Sequence, residues 1–254
     1  MPTCHNPRWP TALAALCLAP ALLTLGGCMA SEDYVSLRAD RSEVAAPLGE
    51  SLFPDDQAVM SNEAIRQVLE SPTFVPADAR LAVFRHGGLP YWWGWSDDFT
   101  RTGEQLDADF LARLDTSDRL TRVAYVPSLV MPRRTTIPYL REAAVRMQSD
   151  LLLVYRTSTG TYTNRRLIAA DEVRAYCTVE AILLDVRTGT IPFSTVVTEQ
   201  YEARKQRQDK NFEETVAKAS QAAMGRAWLR LADETVAFLA DTPLPPGAET
   251  QPVE

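Results

Sequence analysis

Val173-Arg174-Ala175-Tyr176-Cys177-Thr178-Val179-Glu180-Ala181-Ile182-Leu183 leads into Asp185-Val186-Arg187-Thr188-Gly189, and Ile191 to Tyr201 follows. Side chains alternate along a strand, so Val173, Ala175, Cys177, Val179, Ala181 and Leu183 form one apolar row. Arg174, Tyr176, Thr178 and Glu180 face the other way. Gly189 suits the positive φ of a tight turn, and the segment after it has the composition of a returning strand. The stretch predicts a long antiparallel hairpin with one face in a core. Cys177 sits in the inward row, where a small apolar role explains it better than catalysis.

The neighbouring segments extend that hairpin into a layered domain. Upstream, Leu151-Leu152-Leu153-Val154 reads as a central strand covered on both faces. Before it, Pro138 opens a helix with Leu140, Ala143, Ala144 and Met147 on one side. Val123 to Val130 is a strand that Pro127 pushes toward an edge or bulge. Thr102 to Leu114 is a helix in which Thr102 and Gln105 have capping-box spacing. Leu81 to Phe84 is a strand, and Ser61 to Glu70 a short helix with Ala64, Ile65, Val68 and Leu69 on one face. Downstream, Asn211 to Ala240 is a long helix whose small residues Ala219, Ala222, Ala223 and Gly225 permit close packing on a sheet. The order predicts an α/β (α+β) sandwich: a mixed sheet with a long hairpin, packed helices and a long C-terminal helix, in one domain over 61–240. Residues 241–254, with four prolines, read as a disordered tail.

The chain has 254 residues, of which 26 are Lys or Arg, 33 Asp or Glu, two His and four Cys, for a net charge of −7. That balance gives no general attraction to nucleic acid. The few histidines and cysteines argue against a protein-built metal site and most His-dependent chemistry. Arg8 precedes an apolar run from Thr11 to Leu25, interrupted by Pro20, that is short for a membrane span. The run ends in Leu25-Gly26-Gly27-Cys28. This resembles the lipobox of bacterial lipoproteins, in which the cysteine becomes the acylated N-terminus. The resemblance implies a signal peptide over 1–27 and lipid on Cys28. Residues 29–60 lack sustained periodicity, carry Ser, Asp, Glu and Pro, and read as a flexible tether, so that 28–60 is an acylated tether. Met29 lacks resemblance to an inner-membrane retention signal, which implies an outer-membrane anchor facing the periplasm. Cleavage would leave Cys177 and His86 as the only unmodified cysteine and the only histidine, with a charge of −8 from 25 basic and 33 acidic residues.

The order of elements, with Ala144 to Val154, Val179 to Gly189 and Phe212 to Leu239, is similar to periplasmic modules of the anticodon-binding-domain-like fold. These include lipoprotein activators of penicillin-binding proteins, the curli-secretion lipoprotein and the N-terminal domain of the Tol-system propeller protein. Gln148-Ser149-Asp150 keeps only the Asp of the Gly-Ala-Asp usual before the central strand. Such modules imply binding and assembly within the envelope.

Two segments are candidate contact sites. Tyr91, Trp92, Trp93 and Trp95 crowd four rings into five positions, in a loop from His86 to Thr100. Exposed, such rings serve protein interfaces, sugar rings or lipid headgroups; folded back, they plug the end of the sandwich. Asp97 and Asp98 follow as a pair that could bind a cation or be solvated. The second segment is the basic run Arg204, Lys205 and Arg207, suited to an acidic partner, an anionic glycan or a solvated link. No nucleophile elbow, metal-binding His-Glu-x-x-His or phosphate-binding loop occurs.

These features lead to the expectation of a non-enzymatic outer-membrane lipoprotein, without cofactor, metal or nucleic acid, that docks onto an envelope protein. A glycan-binding or glycan-modifying protein that uses the aromatic loop is one alternative. A ring-forming secretion component is another, against which Arg174 and Glu180 count, since they would face lipid.

Overall fold

The computed structural model describes residues 35–36, 52–53, 60–88, 90, 92–131, 135–166 and 169–245, all within the compact unit Asp33–Glu254. The expected signal peptide, Cys28, most of the expected tether, Tyr91 and the last nine residues lie outside them.

The elements in chain order are β1 (Val35–Ser36), α1 (Asn62–Glu70), β2 (Ala79–His86), α2 (Asp97–Leu114), β3 (Leu120–Tyr125), α3 (Ile137–Arg146), β4 (Leu151–Asn164), β5 (Glu172–Asp185), β6 (Phe193–Arg204) and α4 (Phe212–Asp241). The sheet runs β3-β2-β4-β5-β6, with β1 beside the end of β4. β2 is parallel to β3 and β4, whereas β5 is antiparallel to both of its neighbours, β4 and β6. The fold is α+β, with a mixed sheet and a long C-terminal helix.

The alternating row of β5 behaves as its sequence requires. Val173, Ala175, Cys177, Val179, Ala181 and Leu183 are all buried in the main core, against α4 and α2. At ~1.5 Å per residue the 30 residues of α4 reach about 45 Å, the whole length of the sheet. Gly225 lets α2 lie close: a Cβ there would come 2.7 Å from Leu106. On the opposite face a smaller core of Ala82, Phe84, Leu152, Val154 and Leu184 is covered by α3 through Ile137, Leu140 and Ala144.

The β5–β6 turn is held from several sides. Gly189 has φ +79. Asp185 Oδ1 accepts from the amide of Arg187 at 2.8 Å, and the Thr188 hydroxyl donates to Asp185 Oδ2 at 2.9 Å. Asp150, the retained residue of the motif before β4, is buried beneath this turn and pairs with Arg80 at 3.1 Å and Arg187 at 3.0 Å. Burial raises its pKa, but the two guanidinium groups outweigh that and hold the carboxyl below its ordinary range.

Several expected boundaries move. β4 does not stop at Val154 but runs to Asn164, so the hairpin is part of a three-stranded antiparallel section of the sheet. Its second half is polar, yet its β-branched Thr157, Thr159, Thr161 and Thr163 favour a strand. Thr157 meets the core by accepting from the indole N–H of Trp228 at 3.0 Å. α2 begins at Asp97 rather than Thr102, because the Ser96 side chain caps it and Asp97 and Asp98 complement its positive end. β3 ends at Tyr125, before Pro127, and Ser128–Val130 is a single 3₁₀ turn.

Two of the outlying segments are also tied down. Val35 and Ser36, in the expected tether, pair with Asn164 and Thr163, and Leu52 O accepts from Ile137 N at 2.9 Å. At the other end α4 continues through Asp241, Arg119 bonds Thr242 O at 3.0 Å, and Pro243 O accepts from Val75 N at 3.3 Å. The chain is thus held to the body past position 241, where the tail was expected to begin.

Candidate functional site

The aromatic loop is the first candidate, and its rings divide. Trp92 is 1% exposed and Trp93 9%, whereas Trp95 is 45% exposed. Trp92 and Trp93 belong to the main core, so the expectation that both meet a partner is corrected. They stack at 5.9 Å, and Trp93 lies against Gly103 of α2 so closely that a Cβ there would fall 2.4 Å from the ring. Gly103 provides the notch that draws the ring inward, and the rest of the ring packs toward Trp228.

Beneath Trp93 lies a charged cluster that sequence reading missed. The guanidinium of Arg85 sits 5.5 Å from the ring of Trp93, 5.4 Å from Trp228 and 5.8 Å from Tyr125. It pairs with Asp107 at 3.2 Å. The hydroxyl of Tyr125 donates to Asp107 at 2.9 Å and lies 3.0 Å from that of Tyr155. Burial, reinforced by Tyr155 and Asp107, pushes the Tyr125 phenol well above its ordinary pKa. Tyr155 is also raised, again by burial, although Arg85 opposes it. Both phenols stay protonated near neutrality, and the cluster acts as a polar rivet holding β2, α2, β3 and α4 together. Its signal was present: Arg85 continues the inward row of Leu81 and Val83.

The basic run also divides. Arg204 pairs with Glu172 at 2.7 Å across β5 and β6. The amide of Lys205 donates to Asp171 O at 2.8 Å, but its ammonium, the guanidinium of Arg207 and the ammonium of Lys210 have no carboxylate partner among the described residues. Next to them Asp209 is buried. It accepts from the Gln206 amide at 2.9 Å, the Thr215 hydroxyl at 2.8 Å and Lys218 Nζ at 2.8 Å. Burial works to raise its pKa, but these donors, led by Lys218, hold it at about 2. Asp209 anchors the link into α4.

Three open grooves among the described residues are of a size to note. One of about 530 Å³ lies between the starts of α2 and α4, lined by Trp95, Asp98, Thr102, Lys210, Lys218 and Gln221. A second, about 490 Å³, crosses the outer face of the sheet past His86, Arg156, Glu180, Ile182 and Val196. A third, about 540 Å³, lies at the far ends of β4–β6 among Tyr162, Glu172, Arg174, Glu202 and Arg204. The outer face is an ordered polar surface: Arg156 meets Glu180 at 2.5 Å, Arg174 meets Glu202 at 2.5 Å, and Thr178 lies 2.9 Å from Thr198.

Asp98 pairs with Arg101 in the first turn of α2. Cys177 is fully buried, and burial pushes its thiol up to about 12, so it is a poor nucleophile. Among the described residues no three His, Cys, Asp or Glu side chains could together hold a metal ion, and no helix is long and apolar enough to cross a membrane.

The least expected feature is α1. None of its residues is buried, although its apolar side chains fall on one face: Leu69 is 80% exposed, and Ile65 and Val68 are exposed as well. Ser61 caps the helix, and Arg66 pairs with Glu63 and Glu70, so it is stabilised locally without packing.

No family model matches the sequence, and no curated protein does. Among solved structures, a hypothetical protein of Chlamydia trachomatis is similar with TM-score 0.37 and 14% identity, over 64% of this chain and 98% of the other. A minor lipoprotein of Acinetobacter baumannii has TM-score 0.36 and 9% identity, over 63% of this chain and 93% of the other. The LpoB C-terminal domain of Salmonella enterica has TM-score 0.26 and 13% identity, over 53% and 90%.

Proposed function

We propose that the chain is a lipoprotein acylated on Cys28, anchored in the outer membrane and facing the periplasm, whose α+β domain is a non-enzymatic docking module for an envelope protein. The anchor rests on Leu25-Gly26-Gly27-Cys28. The docking role rests on α1. An amphipathic helix ordinarily buries its apolar stripe against another element, and α1 has no such element among the described residues. Ile65, Val68 and Leu69 form the contact face, read at helical spacing as in helix-in-groove recognition.

The test has two arms. Mass analysis of the mature N-terminus should find diacylglyceryl-cysteine at Cys28; an unmodified chain still carrying residues 1–27 would remove the anchor. Photo-crosslinking in cells from position 69 should yield one defined envelope protein, and the product should vanish in Ile65→Glu. Absence of any product from position 69 would remove the docking role.

A glycan-binding reading keeps one specific support, the groove where Trp95 stands beside Asp98, Thr102 and Gln221. It requires saturable binding of peptidoglycan or polysaccharide that is lost in Trp95→Ala, and a chain that binds neither sinks it.

A further inference from the structure

The β1 pairing fixes where an acylated N-terminus must leave the domain. Val35 and Ser36 lie beside Asn164 and Thr163, the last residues of β4. Asn164 pairs with Glu172, and Glu172 with Arg204, so the ends of β4 and β6, the start of β5 and the link into α4 gather at one end of the molecule. Only residues 29–34 separate Cys28 from Val35. Even fully extended, that chain reaches no more than about 25 Å. A cysteine whose acyl chains are in a bilayer has its backbone at the headgroups. The β4 end is thereby held near the lipid, not carried clear of it by a tether of thirty residues.

The charge of the same end is the second observation. Residues 165–174 and 202–214 hold seven Lys or Arg against six Asp or Glu, a small basic excess on a chain of net charge −7. Arg204 is spent on Glu172, but Lys205, Arg207 and Lys210 find no carboxylate among the described residues. Among the described residues, these three cations without a carboxylate partner follow one another on the link into α4, at the end that the anchor holds near the surface.

We propose that this end, with Lys205, Arg207 and Lys210 at its contact, seats on anionic lipid headgroups and orients the anchored domain. The inference rests on acylation of Cys28. It places the opposite end, where β2 begins and Pro243, just past α4, accepts from Val75, about 43 Å farther along β4. Glu70 of α1 is five residues from Val75, so even an extended link keeps the C-terminal end of α1 within about 18 Å of the end directed away from the lipid. One end would then hold the membrane while the other meets the partner.

The experiment uses the mature acylated protein in vesicles, with a fluorophore on Gln208→Cys or, as the far-end control, Val145→Cys; both positions are exposed and Cys177 is buried. Vesicles are phosphatidylcholine alone, or with about a third phosphatidylglycerol, and carry a headgroup quencher. Mass analysis first establishes lipid on Cys28, and its absence would overturn the anchor and this inference together. With lipid present, quenching at 208 should exceed that at 145 by roughly threefold in anionic vesicles and fall toward its neutral-vesicle value at high salt. Reversing the three cations (Lys205→Glu, Arg207→Glu and Lys210→Glu) should produce the same fall. Equal quenching at the two positions, or quenching at 208 indifferent to lipid charge, salt and the reversal, would overturn the inference while leaving the anchor standing.

Discussion

The aromatic loop around Trp93 and the helix α1 are both rich in apolar residues, and the fold treats them in opposite ways. The loop has the look of a surface patch, with glycines, a proline and adjacent aspartates, yet Trp92 and Trp93 are interior. α1 has the look of a packed amphipathic helix, yet Leu69 is open to solvent. The difference lies in what each meets. Gly103 offers Trp93 a slot on α2, with Trp228 and Arg85 behind it. Among the described residues no such slot faces α1, which is stabilised by its cap and its ion pairs. Apolar content shows that a segment wants a partner, and complementary small residues elsewhere decide whether the chain supplies it.

The largest expected effect falls on the loop. Trp93→Ala should lower stability by about 3–5 kcal/mol in urea unfolding, the range for losing a buried large aromatic. A loss below 1 kcal/mol would mean the ring is a surface group. Asp107→Ala should cost about 3 kcal/mol, because it leaves the Arg85 cation without its carboxylate in a mostly buried site. Removing both groups together, as Arg85→Leu with Asp107→Leu, should cost less than Asp107→Ala alone; a larger loss would show that the pair stabilises outright. Gly103→Ala should cost about 1–3 kcal/mol despite the better helix propensity of Ala, since the new methyl meets Trp93. A gain in stability would show that the ring can move aside.

The smallest effect should come from α1. Leu69→Ala should change stability by less than about 0.5 kcal/mol, as for an ordinary surface site. The Cys177 thiol reports on both regions at once, since burial keeps it protonated up to about 12. Its labelling by a thiol reagent at mild alkaline pH should be slow in the native chain, faster in Trp93→Ala and unchanged in Leu69→Glu.

Local pattern carried much of this fold. The inward row of β5, the turn at Gly189 and the extent of α4 are all legible because each depends on a regular spacing or one special backbone conformation. The second half of β4 is harder to read, because Thr157 to Thr163 satisfy a strand by β-branching and hydrogen bonding, not by apolar alternation. The start of α2 was hidden by reading Asp97 and Asp98 as a loop pair when they are the first turn behind the Ser96 cap. Of the candidate site, the basic run was visible as a charge cluster. Its division into Arg204, paired with Glu172 more than thirty positions away, and Lys205 and Arg207, without a carboxylate partner among the described residues, is not local. The inward course of Trp92 and Trp93 depends on Gly103 and Trp228, which no local window joins to them. The exposure of α1 is a fact about what does not pack on it, and periodicity alone is silent on that.

Photo-crosslinking in living cells from positions 69 and 93, side by side, tests the contrast most directly. The account predicts a discrete protein product from position 69 and none to another protein from position 93. A product from 93 with none from 69 would contradict it: the aromatic loop would then be the contact and α1 a bystander.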